Sequence, residues 1–224
     1  MSPAWPTEPD ELISLQVALG GETPGPWNPP AEYLTGGAWI CFPRGLSGPG
    51  SPGDQAWAAA VVMDGPRIVA RHLIEGRTPS AYIPGLLALR LGPLLEVVVR
   101  RLVPAPDVLL LDATGRDHPR RCGLATHLGA VLDQPTVGVT HRPLNASGAW
   151  PADEPGATSP LVIGTEQVAT WLRTRPGTRP LVVHPGWRTD LDSACQIVSA
   201  SLGRHRTPEP LRRARQAARR ARAD

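Results

Sequence analysis

The chain has 224 residues, 41% of them hydrophobic, with a formal net charge of +3 and a pI near 9.1. That supports one globular domain and excludes a chain too small to bury a core. All 23 basic residues are Arg, beside 27 prolines; a GC-rich genome produces such usage, so Arg content alone is weak evidence for nucleic-acid binding.

The three cysteines, Cys41, Cys122 and Cys195, have neither the number nor the spacing of a disulfide framework or a zinc site. The N-terminal stretch carries early acids and no leader-like apolar run. No segment approaches the roughly 20 apolar residues of a membrane span. A soluble, cytoplasmic protein with no membrane partner is expected.

Residues 8–19 suit a short amphipathic helix, followed by a Pro/Gly linker, "GGETPGPWNPP". Residues 34–42 read as a buried strand containing "GGAWICF". Two apolar runs joined through Asp64-Gly65 predict a hairpin. A leucine-dense helix runs from Pro84-Gly85 to about Val103. "DVLLLDA" (107–113) is apolar throughout and ends in an acid, as a strand buried on both faces does. "RRCGLATHLGAVLD" predicts a helix and "PTVGVT" the next strand, a parallel unit.

"PLVIG", "QVATWLRTR" and "PLVVHPG" read as further strands. "DLDSACQIVSASL" reads as a helix with Asp190 or Asp192 near its start. The tail from Arg212 to Arg222 reads as a basic helix lacking an apolar stripe after Leu211, hence exposed; its six arginines could track a phosphate backbone, or form a solvated terminal helix. Three units follow: residues 1–33, an N-terminal helix and linker; 34–206, the α/β domain; 207–224, the basic helix. The architecture is a mixed central sheet flanked by helices.

Six segments carry a family resemblance: "AYIPGLLALR" (81–90), "LLLDATGRDHPRRCGLATHLG" (109–129), "PTVGVTHRPL" (135–144), "DEPGATSPL" (153–161), "GWRTDLDSA" (186–194) and "RTPEPLRRA" (206–214). Together they resemble endonuclease V, which cuts one phosphodiester bond 3′ to a deaminated purine. The resemblance implies a ribonuclease-H-like fold and a Mg²⁺ site built from two Asp and one Glu, assisted by a Lys and a His. Carried onto this chain, the first-strand Asp falls on Trp39 and the helix Glu on Leu91. The Lys falls on His141 and the His on Trp187. The Gly-His after the second strand-end Asp has become Ala113-Thr114. Only Asp112 survives as a carboxylate, so Mg²⁺ is expected to bind weakly or not at all, because that ion needs several oxygen ligands.

The same resemblance makes Tyr82-Ile83-Pro84-Gly85 a wedge beside a flipped base; a helix-entry turn explains the same residues. His118, Arg120 and Arg121 could grip phosphate, or form a loop closed by His hydrogen bonds. Small Gly123, with Ala125 and Gly129, would let a base approach closely, or serve helix–sheet packing. Asp112 is either a vestigial metal and catalytic residue or a strand-end turn former. Cys41, His141 and Asp112 could form a new nucleophilic site, with an inert buried Cys as the bland reading.

The expected function is therefore a degenerate, catalytically impaired endonuclease V homologue that binds DNA or RNA, with a protein partner as a further option and no cofactor of its own. One alternative is a metal-independent enzyme acting on a nucleoside-like molecule. Another is an active Mg-dependent nuclease.

Overall fold

The computed structural model describes residues 5–223. Eight strands form it: β1 (Thr35–Cys41), β2 (Gln55–Asp64), β3 (Arg67–Arg77), β4 (Val108–Leu111), β5 (Thr136–Thr140), β6 (Thr158–Ile163), β7 (Glu166–Leu172) and β8 (Leu181–Pro185). Five helices accompany them: α1 (Pro9–Gly21), α2 (Leu87–Arg100), α3 (Leu124–Leu132), α4 (Leu191–Ala200) and α5 (Glu209–Ala221). The strands make one sheet in the order β3-β2-β1-β4-β5-β8-β7-β6. None of the described helices is long and apolar enough to cross a membrane.

The β2–β3 hairpin turns at Asp64-Gly65, with Gly65 at φ +51°, a conformation glycine adopts without penalty. β1, β4 and β5 are parallel, whereas β8 and β2 run antiparallel to their neighbours in this central group. Helices α2 and α3 cover one face, and α4 and α5 the other. β4 alternates between the two: Leu109 and Leu111 pack under α2 and α3, Val108 and Leu110 under α4 and the start of α5. Both faces are buried, which is why "VLLL" carries no polar residue. Asp190 caps α4, its Oδ1 accepting the Ser193 N–H at 2.8 Å, so the N-terminal acid has a defined partner.

Two expectations need correction. The C-terminal helix is not an exposed tail. Leu211, Ala214 and Ala218 are buried, and α5 lies against β1 and β2. Its buried face is made of alanine, so no large apolar stripe announces it. Close approach is possible because Gly37 meets the backbone of Pro210: a Cβ there would lie 2.4 Å from the Pro210 carbonyl carbon. Helix α3 also starts later than "RRCG" suggests. Arg121 sits at φ +55°, which breaks helical geometry, and the first helical residue is Leu124.

Candidate functional site

Parallel strands bring their C-terminal ends to one edge of the sheet, where open α/β sheets place ligands. Trp39 near the end of β1, Asp112 just after β4 and His141 just after β5 therefore stand along one edge. Since β8 is antiparallel to β5, Arg179 and Pro180, which precede β8, join that edge. From the α5 face Arg215 reaches over the Trp39 ring, its guanidinium carbon 5.5 Å from the ring centroid.

Asp112 is bordered by apolar bulk on one side. Trp39, Ile40, Leu91, Leu95 and Leu124 share a small recess with it. This apolar surrounding pushes the Asp112 carboxyl up to about 6, while the Arg215 charge draws it back. The residue keeps open surface, so water limits the rise. Trp39 and Leu91 thus flank Asp112.

This donor set does not fit the Mg²⁺ of the family. A hard cation takes six or more oxygen ligands, with several waters retained. Here one carboxylate stands beside an indole, aliphatic side chains and the positive charge of Arg215. Among the described residues no group of three or more His, Cys, Asp or Glu is arranged to hold a metal ion.

A second recess of about 170 Å³ adjoins the first through Asp112 and Ala113. Tyr82, Gly85, His118, Leu124 and Thr140 contribute to its walls. Gly85 is at φ +75°, so its place in the turn favours glycine strongly. Its carbonyl oxygen accepts from three side chains: Arg120 Nη2 at 2.8 Å, His118 Nε2 at 3.0 Å and Gln16 Nε2 at 3.2 Å. His118 Nδ1 in turn accepts the Arg120 backbone N–H at 3.3 Å. That pair of bonds describes a neutral imidazole with its proton on Nε2. Burial holds His118 in this form, lowering its pKa to about 4 against the opposing hydrogen bond to Gly85.

Several candidate residues are thereby placed. In the Tyr82–Gly85 turn, Tyr82 and Pro84 are exposed, whereas Ile83 packs inward against the main core. Arg120 is tied down by the turn: its Nε also donates to Gln16 Oε1 at 2.7 Å. Arg121 pairs with Glu166 at 2.9 Å. Both guanidinium groups hold protein partners, so the hydrogen-bonded loop offered as the second reading of these residues is present. Gly123 packs on the Thr114 loop, where a Cβ would come 2.2 Å from the Thr114 carbonyl oxygen; there its small size serves backbone packing.

Trp187 is a further correction. It is buried among Leu19, Cys122, Leu15 and Ala130 and lines neither recess beside Asp112. The Cys41–His141–Asp112 set does not assemble either. Cys41 packs against Trp57, Ala59 and Ala218, and burial raises its thiol pKa. His141 is exposed two strands away, on the far side of β4, at a spacing of about 10 Å. No hydrogen bond links any two of the three.

Gln16 was not read from the sequence, and Arg215 was read only as one arginine of an exposed basic helix. Gln16, on α1, reaches the turn across 69 residues. Arg215 enters through α5; the spacing of Leu211, Ala214, Ala218 and Ala221 was the available signal for a buried helix face beside it.

A family model described as Endonuclease V matches residues 48–216. The Streptomyces avermitilis endonuclease V is 35% identical over 223 residues, covering 97% of this chain and 93% of the relative. Its crystal structure superposes with a TM-score of 0.87, over 97% of this chain and 94% of that one. The Methanothrix thermoacetophila endonuclease V is 38% identical over 213 residues, 93% of this chain and 90% of the relative. An endonuclease V from Ciona intestinalis, crystallised in complex with a DNA containing an inosine, has a TM-score of 0.79 at 21% identity, over 95% of this chain and 96% of that one. That last likeness speaks for the fold, which is ribonuclease-H-like.

Proposed function

Because this chain belongs to the endonuclease V family, we propose that it binds a nucleic-acid strand at the strand-end face, takes a nucleobase into the Gly85–Ala113–Leu124 recess, and lacks the metal-dependent hydrolysis typical of the family. The observation that carries this reading is the company of Asp112: Trp39 and Leu91 fill the ground beside it, and Arg215 puts a cation next to it. One carboxylate in that setting gives Mg²⁺ too few oxygens. Removing even one member of a catalytic unit commonly lowers rates by orders of magnitude. The second recess supports base binding. It is partly apolar, it is edged by the exposed Tyr82 ring, and its floor is held by the Gln16–His118–Arg120 bonds to Gly85.

The test is one inosine-containing oligonucleotide, as DNA and as RNA, assayed for cutting and binding in the same sample with Mg²⁺ or Mn²⁺. Salt-dependent binding without cleavage is expected. Cleavage at rates typical of a nuclease overturns the catalytic part of the reading; absence of binding even at low salt overturns the nucleic-acid part.

A further inference from the structure

We propose that Arg215, with Arg179, Arg206 and His141 beside it, holds a nucleic-acid phosphate at the strand-end face in place of a divalent metal. This rests on the nucleic-acid reading above and names the chemistry that would perform it.

The topology collects these groups. The β1, β4, β5 and β8 ends lie next to one another, three strand spacings or about 14 Å in all. That is room for more than one phosphate of a strand. Arg215 lies over Trp39 at one end. Cation–π attraction to an indole orients a guanidinium without using up its N–H donors. Among the described residues Arg215 makes no hydrogen bond or ion pair. Arg206 is oriented from behind: its Nε and Nη2 donate to the Arg179 and Pro180 carbonyl oxygens at 2.6 and 3.0 Å. Its Nη1 has no partner among the described residues. Arg179 is exposed, forms no ion pair there, and lies 5.8 Å above the ring of Trp150, itself 55% exposed. The cations thus lie between two indoles, Trp39 beside Arg215 and Trp150 beside Arg179, a combination of charge and aromatic surface that suits a strand and its bases.

The charges also strain one another. The pKa of His141 is lowered by burial and then by Arg206, Arg215 and Arg179. That of Arg215 is lowered by burial and then by Arg219, with Asp112 the one carboxylate that counters. An anion landing between them relieves that repulsion. A metal landing there worsens it. The two possibilities differ in the sign of what Asp112 does: a metal needs its charge, a phosphate is repelled by it.

Fluorescence polarisation with a labelled single-stranded oligonucleotide carrying one inosine separates them, in EDTA and in Mg²⁺. The wild-type chain should bind equally well in both. Arg215→Ala should weaken binding about tenfold or more and lower the salt slope by about one. Arg179→Ala, on an exposed loop, should weaken it in the same direction. Asp112→Asn should bind as tightly as wild type or more tightly. If circular dichroism shows Arg215→Ala to be unfolded, Arg179→Ala and Asp112→Asn decide. Loss of binding in EDTA, weaker binding by Asp112→Asn, or wild-type binding by both arginine variants overturns the phosphate site while leaving nucleic-acid binding in place. A wild-type chain that binds in neither condition rejects both.

Discussion

His127 offers a clean test of how burial controls this fold. It is fully buried on α3, its ring centroid 4.5 Å from that of Trp5, and among the described residues neither ring nitrogen has a hydrogen-bond partner. Burial alone lowers its pKa from 6.5 to about 4. The unfolded chain therefore takes up a proton near pH 6.5 and the folded chain only near 4, so acidification favours unfolding across that window. The difference amounts to about 3 kcal/mol in full, of which about 2 kcal/mol is lost between pH 7 and pH 5. His118, also lowered to about 4 by burial, adds a loss of the same sign. Asp112 acts the other way: its pKa is raised to about 6, so its burial weighs on the fold above that pH and is relieved below it, to an extent reduced by its exposure.

The variant His127→Phe keeps an aromatic ring against Trp5 and removes two unsatisfied nitrogens, each of which costs about 1–3 kcal/mol. At pH 7 it should raise stability by about 2 kcal/mol, or roughly 4–8 °C in Tm for a chain of this size. More tellingly, its Tm should fall less than that of the wild type between pH 7 and pH 5. Thermal unfolding followed by circular dichroism at several pH values reads both. An undiminished pH slope in the variant would falsify the assignment of that slope to His127.

Arg120→Ala should destabilise the chain by about 1.5–3 kcal/mol, because charged donors to Gly85 and Gln16 are lost together; an unchanged urea midpoint would count against the latch on the Tyr82–Gly85 turn. Trp39→Asp combined with Leu91→Glu supplies carboxylates on both sides of Asp112. Mg²⁺ or Mn²⁺ should raise the Tm of this double variant and leave that of the wild type unmoved, with a further rise once Arg215 is also changed to Ala. An equal metal-dependent rise in the wild type would show that Asp112 alone suffices.

Much of the scaffold could be read along the chain because its signals are local. The uninterrupted "VLLL" of β4, the Asp64-Gly65 turn and Asp190 ahead of α4 each state their own conformation within a few residues. Family resemblance then put Trp39 and Leu91 beside Asp112, and the parallel order of β1 and β4 brings them there. Trp187 escaped that logic, since its indole turns into the cluster under α1 and α3. Arg120 and Arg121 look free in sequence because Gln16 lies 104 residues from one and Glu166 lies 45 from the other.

The direction in which Arg215 points was hidden for the deepest reason. A helix lined with alanine and arginine has little apolar signal of its own, and only its contact with a strand far earlier in the chain says which way it faces. The sequence by itself determined the elements and their order, and through the family resemblance it implied that metal ligands are missing. Tertiary structure alone decided which charges meet at the strand ends, because that depends on how close Gly37 lets α5 approach the sheet.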